Sequence, residues 1–168
     1  RFHTETGTFD YMEYEGKTLT EKPMGYNLFR APTDNDRYIQ AKWKEEGFDR
    51  TLPYTYEVTV AVTAEGVEIH CPLSIEVVYR QNPMEIQSVW TVFRNGEIRV
   101  KLDVQVRESL SSLPRFGLRM FLKPDFDRCE YFAYGPQESY IDKHAGSWKD
   151  RFQARVADMH EDYCKPQE

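Results

Sequence analysis

The sequence predicts an all-β fold, a large antiparallel sandwich with one short helix near residues 37–46, and three observations predict it. Apolar and polar residues alternate strictly on both sides of Asn95-Gly96. Further alternating runs recur about every ten residues, each bounded by glycine or proline. The chain is also rich in strand-favouring aromatics, at 14% with 11 tyrosines and 10 phenylalanines; these suit sheet cores and cross-strand pairs, and exposed ones would suit sugar stacking.

In order, Phe2 to Thr18 reads as a hairpin, with Thr4 to Thr8 and Phe9 to Glu15 around small turns at Gly7 and Gly16. Tyr26 to Phe29 reads as a strand end entering a rigid turn, because Pro32 fixes its own backbone and biases Ala31 towards extension. The segment from Arg37 to Glu46 then reads as a short helix, with Asp36 as N-cap and Gly47 as stop. Tyr54 to Thr63 places Tyr56, Val58, Val60 and Val62 on one strand face. Val67 to Tyr79 continues as a strand broken at Pro72, a position that suggests an edge or bulge.

The clearest pair comes next. Ile86, Ser88, Trp90 and Val92 share one face of the run from Glu85 to Phe93. Ile98, Val100, Leu102, Val104 and Val106 alternate with charged or amide side chains, and period two over such a length means one dry and one wet face. Asn-Gly between two such runs is a strong hairpin signal. Arg115 to Leu122 and Cys129 to Tyr134 supply two more strands, Phe152 to Val156 a third, and Asp158 to Asp162 a helical turn.

Composition narrows the function classes. At 168 residues, 40% apolar and 30% charged, the chain has the make-up of a soluble globular domain covering 1–168. A net charge of -6 with scattered basic residues argues against nucleic acid, and no apolar run reaches membrane-spanning length. Cys71, Cys129 and Cys164 show no disulfide framework and read as free thiols. His3, His70, His144 and His160 share no ligand spacing, and no glycine-rich phosphate loop is present. These features favour the cytoplasm; because the chain starts at Arg1 without a methionine, export through a preceding signal is left open.

Four motifs carry a family resemblance. Asn27-Leu28-Phe29-Arg30-Ala31-Pro32-Thr33-Asp34-Asn35-Asp36 resembles the signature that opens the C-terminal domain of the large bacterial β-galactosidases of glycoside hydrolase family 2. Phe116-Gly117-Leu118-Arg119-Met120 resembles a strand of that domain, Tyr134-Gly135-Pro136-Gln137-Glu138-Ser139-Tyr140-Ile141-Asp142 resembles one of its turns, and Lys165-Pro166-Gln167-Glu168 resembles its Pro-Gln-Glu. The four stand in the family's order. Near the end His160 and Asp162 depart from the pattern, while Tyr163 and Pro166 match.

The resemblance implies part of a supersandwich of the galactose mutarotase type, with the natural domain continuing beyond residue 168. It implies that the parent enzyme hydrolyses terminal β-galactosides such as lactose with retention, using two glutamates of a separate barrel domain. Retention needs two carboxyl groups about 5 to 5.5 Å apart. The carboxylate pairs available here, Asp34 with Asp36, Glu45 with Glu46 and Glu138 with Asp142, read instead as turn bonding, a solvated helix end and loop bracing, so no catalytic residue is expected in this chain.

Asp36, Arg37, Tyr38 and Trp43 are implied to border the entrance of the active site, although Trp43 reads more readily as core. Arg30, Pro32, Asp34, Asn35, Arg119, Gly135, Pro136, Glu138, Tyr140 and Asp142 are expected to brace the fold, with Arg30 or Arg119 tying the signature turn to the Gly135-Pro136 loop. No cofactor or metal is expected in this stretch; Mg or Na ions would belong to the parent enzyme. The implied partners are the β-galactoside, the other domains of the same chain or a separate large subunit, and further copies in a homo-oligomer, with neither nucleic acid nor membrane. The competing readings are an autonomous carbohydrate-binding module and a mutarotase-like enzyme.

Overall fold

The computed structural model describes residues 1–137 and 140–159, with backbone alone at 141–143. Strands dominate, as expected, and every pairing with a stated register is antiparallel. The chain forms two compact units, Arg1–Phe121 and Leu122–Glu168.

The first unit opens with two small hairpins where one was expected. β1 (Phe2–His3) pairs β2 (Thr8–Phe9), and β3 (Glu13–Tyr14) pairs β4 (Lys17–Thr18). Glu15 and Gly16 both take positive φ between β3 and β4, which closes that turn early and ends the longer strand drawn from the sequence. β5 (Thr20–Asn27) follows, carrying Pro23 and Gly25, two residues that hide a strand from pattern reading. Thr33 leads into a 3₁₀ turn at Asp34–Asp36, α1 (Gln40–Glu46) and a second 3₁₀ turn at Phe48–Arg50. The helix is shorter than predicted, and its N-cap is Ile39 rather than Asp36, whose carboxylate is turned back onto Thr33.

A larger sheet follows, made of β6 (Leu52–Thr55), β7 (Thr59–Val62), β8 (Gly66–Glu76), β9 (Met84–Phe93) and β10 (Ile98–Val106). Its order is β10-β9-β8, with β6 and β7 sharing the far edge of β8. The continuous strand predicted from Tyr54 to Thr63 is thus split, and β8 runs straight through Pro72. Proline has no N–H to offer a neighbour. The split falls opposite it, where the Tyr56 N–H donates to the Pro72 carbonyl at 2.9 Å before the chain leaves the ladder. At β7 Val60 and Val62 are exposed, because nothing among the described residues covers that edge strand.

Cross-strand partners line the core. Ile75 faces Met84, Leu73 faces Ile86, Cys71 faces Ser88 and Ile69 faces Trp90, all at period two on one face. Leu28, Trp43 and Phe48 close over the first pairs, while Phe9 and Trp90 form a second cluster with Ile69. Burying each such side chain contributes about 1.5 to 3 kcal/mol. The one hydroxyl in the row is satisfied, since Ser88 Oγ donates to the Cys71 carbonyl at 2.7 Å. Burial pushes the Cys71 thiol above its ordinary range, as suits an inert core cysteine.

The β9–β10 hairpin forms where Asn95-Gly96 predicts it, although only Gly96 takes positive φ, at 87°. Asn95 instead accepts the Glu97 N–H on its side-chain oxygen at 3.0 Å. β11 (Gly117–Leu122) pairs β5. In the second unit, β12 (Arg128–Gly135) pairs β13 (Trp148–Arg155), with Tyr131 against Phe152, and a 3₁₀ turn at Val156–Met159 follows. No helix of the described residues is long and apolar enough to cross a membrane.

Gly47 ends α1 with φ 82°, and a Cβ placed there would lie 2.3 Å from Val77 Cγ1. Strain and collision therefore act together. Gly47→Ala is expected to destabilise the chain by about 2 kcal/mol or more, read as a lowered denaturant midpoint at unchanged slope.

Candidate functional site

The signature turn is built on one ion pair. Arg30 donates through both terminal nitrogens to Asp36, at 2.5 Å to Oδ2 and 2.9 Å to Oδ1, a two-pronged geometry that only a guanidinium can supply. The Thr33 N–H and hydroxyl also donate to Asp36 Oδ2, at 2.8 and 3.0 Å. Asp36 is 9% exposed, yet both its oxygens are bonded. The Arg30 bonds, with help from Thr33, hold its carboxyl below the usual range against the opposing effect of burial.

Arg30 reaches further. Its Nε donates to the Pro114 carbonyl at 3.0 Å, and its guanidinium lies 5.1 Å from the Trp43 ring centroid. Trp43, 2% exposed, donates its indole N–H to the Ser112 carbonyl at 2.7 Å. The Ser111 N–H and hydroxyl both donate to the Glu46 carboxylate. The turn, α1 and the segment from Ser111 to Pro114 are therefore one hydrogen-bonded assembly.

Several sequence expectations are corrected here. Trp43 is core, the reading its sequence favoured, with no face free for a sugar, and Asp36 is committed to the brace rather than to a helix cap. Arg37 and Tyr38 are exposed, Tyr38 at 83%, with the Arg37 guanidinium 4.7 Å over the Tyr38 ring. Glu46 is no solvated helix end, since its carboxylate is held by Ser111. Arg119 is exposed and lies 4.9 Å over the Phe121 ring two residues on, the same-face spacing of a strand, so it is not the buried brace predicted.

Arg30 does brace the turn, through Asp36 and Pro114. The expected tie to the Gly135-Pro136 loop relies on Glu138 and on the Asp142 side chain, which lie outside the described residues, as do His160, Asp162 and the final motif. Pro32 is half-buried, while Asp34 and Asn35 are exposed.

In the second unit the peptide between Gly135 and Pro136 is cis. Gly135 lies so close under its neighbours that a Cβ would sit 2.9 Å from the Phe152 ring. The Tyr131 hydroxyl donates to the Pro136 carbonyl at 3.4 Å, and His144 stacks on Tyr134 at 4.8 Å. Tyr140, the remaining predicted brace, is half-buried.

Ser111, Ser112, Pro114 and Thr33 were not singled out from sequence. Their contributions run mainly through backbone carbonyls and N–H groups, which leave no residue-type signal. Among the described residues no group of three histidine, cysteine, aspartate or glutamate side chains is arranged to hold a metal ion.

Fold and site together define an all-β antiparallel domain whose most constrained polar cluster locks a turn onto a helix and a loop. The chain belongs to the beta galactosidase small chain family, whose model matches residues 1–168. It is similar to the beta-galactosidase of Actinobacillus pleuropneumoniae, 35% identical over 98% of this chain and 16% of that protein. The beta-galactosidase of Staphylococcus xylosus is 33% identical over 84% of the chain and 14% of its own length, and that of Vibrio cholerae 28% identical over 100% and 17%. The chain thus spans about one sixth of the length of these relatives.

Arg30→Ala would leave the Asp36 carboxylate buried and without its main partner. We expect a loss of about 3 kcal/mol and a fall of several degrees in Tm, with Arg30→Lys only partly restoring stability because a point charge cannot bind both oxygens. The pH dependence has a definite sign. A depressed carboxyl stabilises the fold above the ordinary aspartate value of about 3.9 and loses that stabilisation as pH falls through the folded value. Acid unfolding curves of Asp36→Asn should therefore be flatter than those of the parent below about pH 4.

Proposed function

We propose that this chain is a supporting, non-catalytic domain of a β-galactosidase, and that its exposed Arg37-Tyr38 pair borders the substrate entrance of an active site whose carboxylates lie elsewhere in the enzyme. The observation that carries this reading is the state of Asp36. A nucleophile or acid/base carboxylate must present an oxygen to substrate, and both oxygens of Asp36 are held within the turn. Glu46 is likewise engaged by Ser111. Asp34 and Glu45 are exposed to solvent. The family and its relatives' names support the reaction class, hydrolysis of a β-galactoside.

The turn's role is to give Arg37 and Tyr38 a rigid base. Tyr38 offers a flat apolar face that suits the C–H side of a sugar ring. Its exposure also favours a second reading, in which the chain binds galactosides by itself.

Hydrolysis of a chromogenic β-galactoside separates these. In the full-length protein, Glu46→Gln, and Asp36→Asn assayed well below its melting temperature, should keep kcat within about threefold, whereas loss of a true catalytic carboxylate costs orders of magnitude. Tyr38→Ala should raise KM about fivefold with kcat little changed. Hydrolysis by residues 1–168 alone, abolished by either carboxylate change, would overturn the proposal. Millimolar galactose affinity of that same stretch, lost in Tyr38→Ala, would favour the second reading.

A further inference from the structure

A cavity of about 420 Å³ opens in the first unit beside α1, and its lining gathers charge. Lys42, Glu45 and Glu46 come from one face of the helix, at the spacing of three and four residues that brings helical side chains together. Tyr79, Arg80 and Gln81 come from the turn after β8, and Arg107 follows β10. These walls are fixed from behind. Gly47, at the end of α1, sits directly against Val77, where the turn begins. Ser111 holds Glu46, and the Arg107 N–H donates to the Pro83 carbonyl at 3.0 Å.

The cations in this lining are not neutralised by the residues around them. No carboxylate among the described residues forms an ion pair with Lys42, Arg80 or Arg107. Arg107 Nη1 donates to Gln81 Oε1 at 3.1 Å, while its Nε is buried with no acceptor among the described residues. A guanidinium in that state favours an oxyanion, whose two oxygens fit its planar fork.

Tyr79 is the second unusual feature. The Arg80 N–H donates to the Val77 carbonyl at 3.0 Å, closing a turn in which Tyr79 takes φ 61°. Glycine or asparagine ordinarily fills such a position, and an aromatic residue there is strained. Backbone strain of this kind gathers at ligand clamps. The Tyr79 side chain is fully exposed, so the strain is not offset by burial in the core.

We propose that this cavity binds a sugar acid, with its carboxylate among Lys42, Arg80 and Arg107 and its ring against Tyr79. The three cations exceed the carboxylates of Glu45 and Glu46 by one, which suits a single carboxylate better than a polyanion. Tyr79 supplies a flat apolar face for the ring. Glu45 and Gln81 can accept hydrogen bonds from ring hydroxyls, a use that an acid without hydroxyls would not give them. A neutral sugar gains nothing from the cations, which separates this site from the galactoside contact proposed above.

Calorimetric titration of the full-length protein with glucuronate, inorganic phosphate and neutral galactose tests the proposal. Glucuronate should bind with a Kd of about 1 mM, more tightly than phosphate, and should weaken as salt is added. The double variant Lys42→Ala, Arg80→Ala changes two exposed side chains, and should weaken glucuronate at least about tenfold while leaving galactose binding unchanged. Tyr79→Gly relieves the strained φ, so Tm should hold or rise while glucuronate binding falls about fivefold. Absence of glucuronate binding at about 10 mM, phosphate binding as tightly as glucuronate, or glucuronate binding that survives the double variant would each overturn the proposal. So would a double variant that melts earlier in a protein that takes up no glucuronate, the result expected if another part of the polypeptide fills the cavity.

Discussion

The bidentate bond between Arg30 and Asp36 is the constraint on which the first unit depends. A guanidinium removed from water must be met by acceptors in its own plane, and the turn supplies them from Asp36 on one side and the Pro114 carbonyl on another. Because the same cation lies over Trp43, the position of α1 is tied to the turn, and the Trp43 bond to Ser112 closes the circuit. Each member fixes the next. Such a network is more sensitive to loss of one partner than its individual bonds suggest, since whatever remains is a buried polar group without its match.

The sheet was legible where one physical effect dominated. β9 and β10 alternate over a whole strand length, and their turn contains a glycine that takes positive φ, so pattern and backbone preference agree. β5 was hidden because Pro23 and Gly25 occupy positions where side-chain pattern would otherwise speak. The start of α1 was misread for a different reason. An aspartate before a helix competes for two uses, capping that helix or bonding the turn behind it, and the arginine six residues upstream decided for the turn. That decision depends on three-dimensional proximity, which local spacing does not express.

The site shows the same division. Arg30 could be foreseen as a brace because a charged residue between Phe29 and Ala31 needs partners. Arg119 looked equivalent in sequence, yet its strand turns it to solvent over Phe121. The difference lies in what covers each face, and that is a property of the assembled unit. Glu46 illustrates the reverse error: it was given a solvated helix end, yet it is held by Ser111, in the same segment whose Ser112 carbonyl accepts from Trp43 and which no motif marks.

Function in this chain is then a matter of neighbouring residues with opposite fates. Asp36 and Arg37 are adjacent, but the first is locked inward and the second projects outward beside Tyr38. Both oxygens of the Asp36 carboxylate are engaged in internal bonds. In the function proposed above, the turn holds the next two side chains at a fixed place, and positioning of that kind is worth most when the chemistry belongs to groups elsewhere. The family signature is therefore best understood as a mounting: its charged residues set the backbone, and the exposed pair that follows meets whatever lies in front of it.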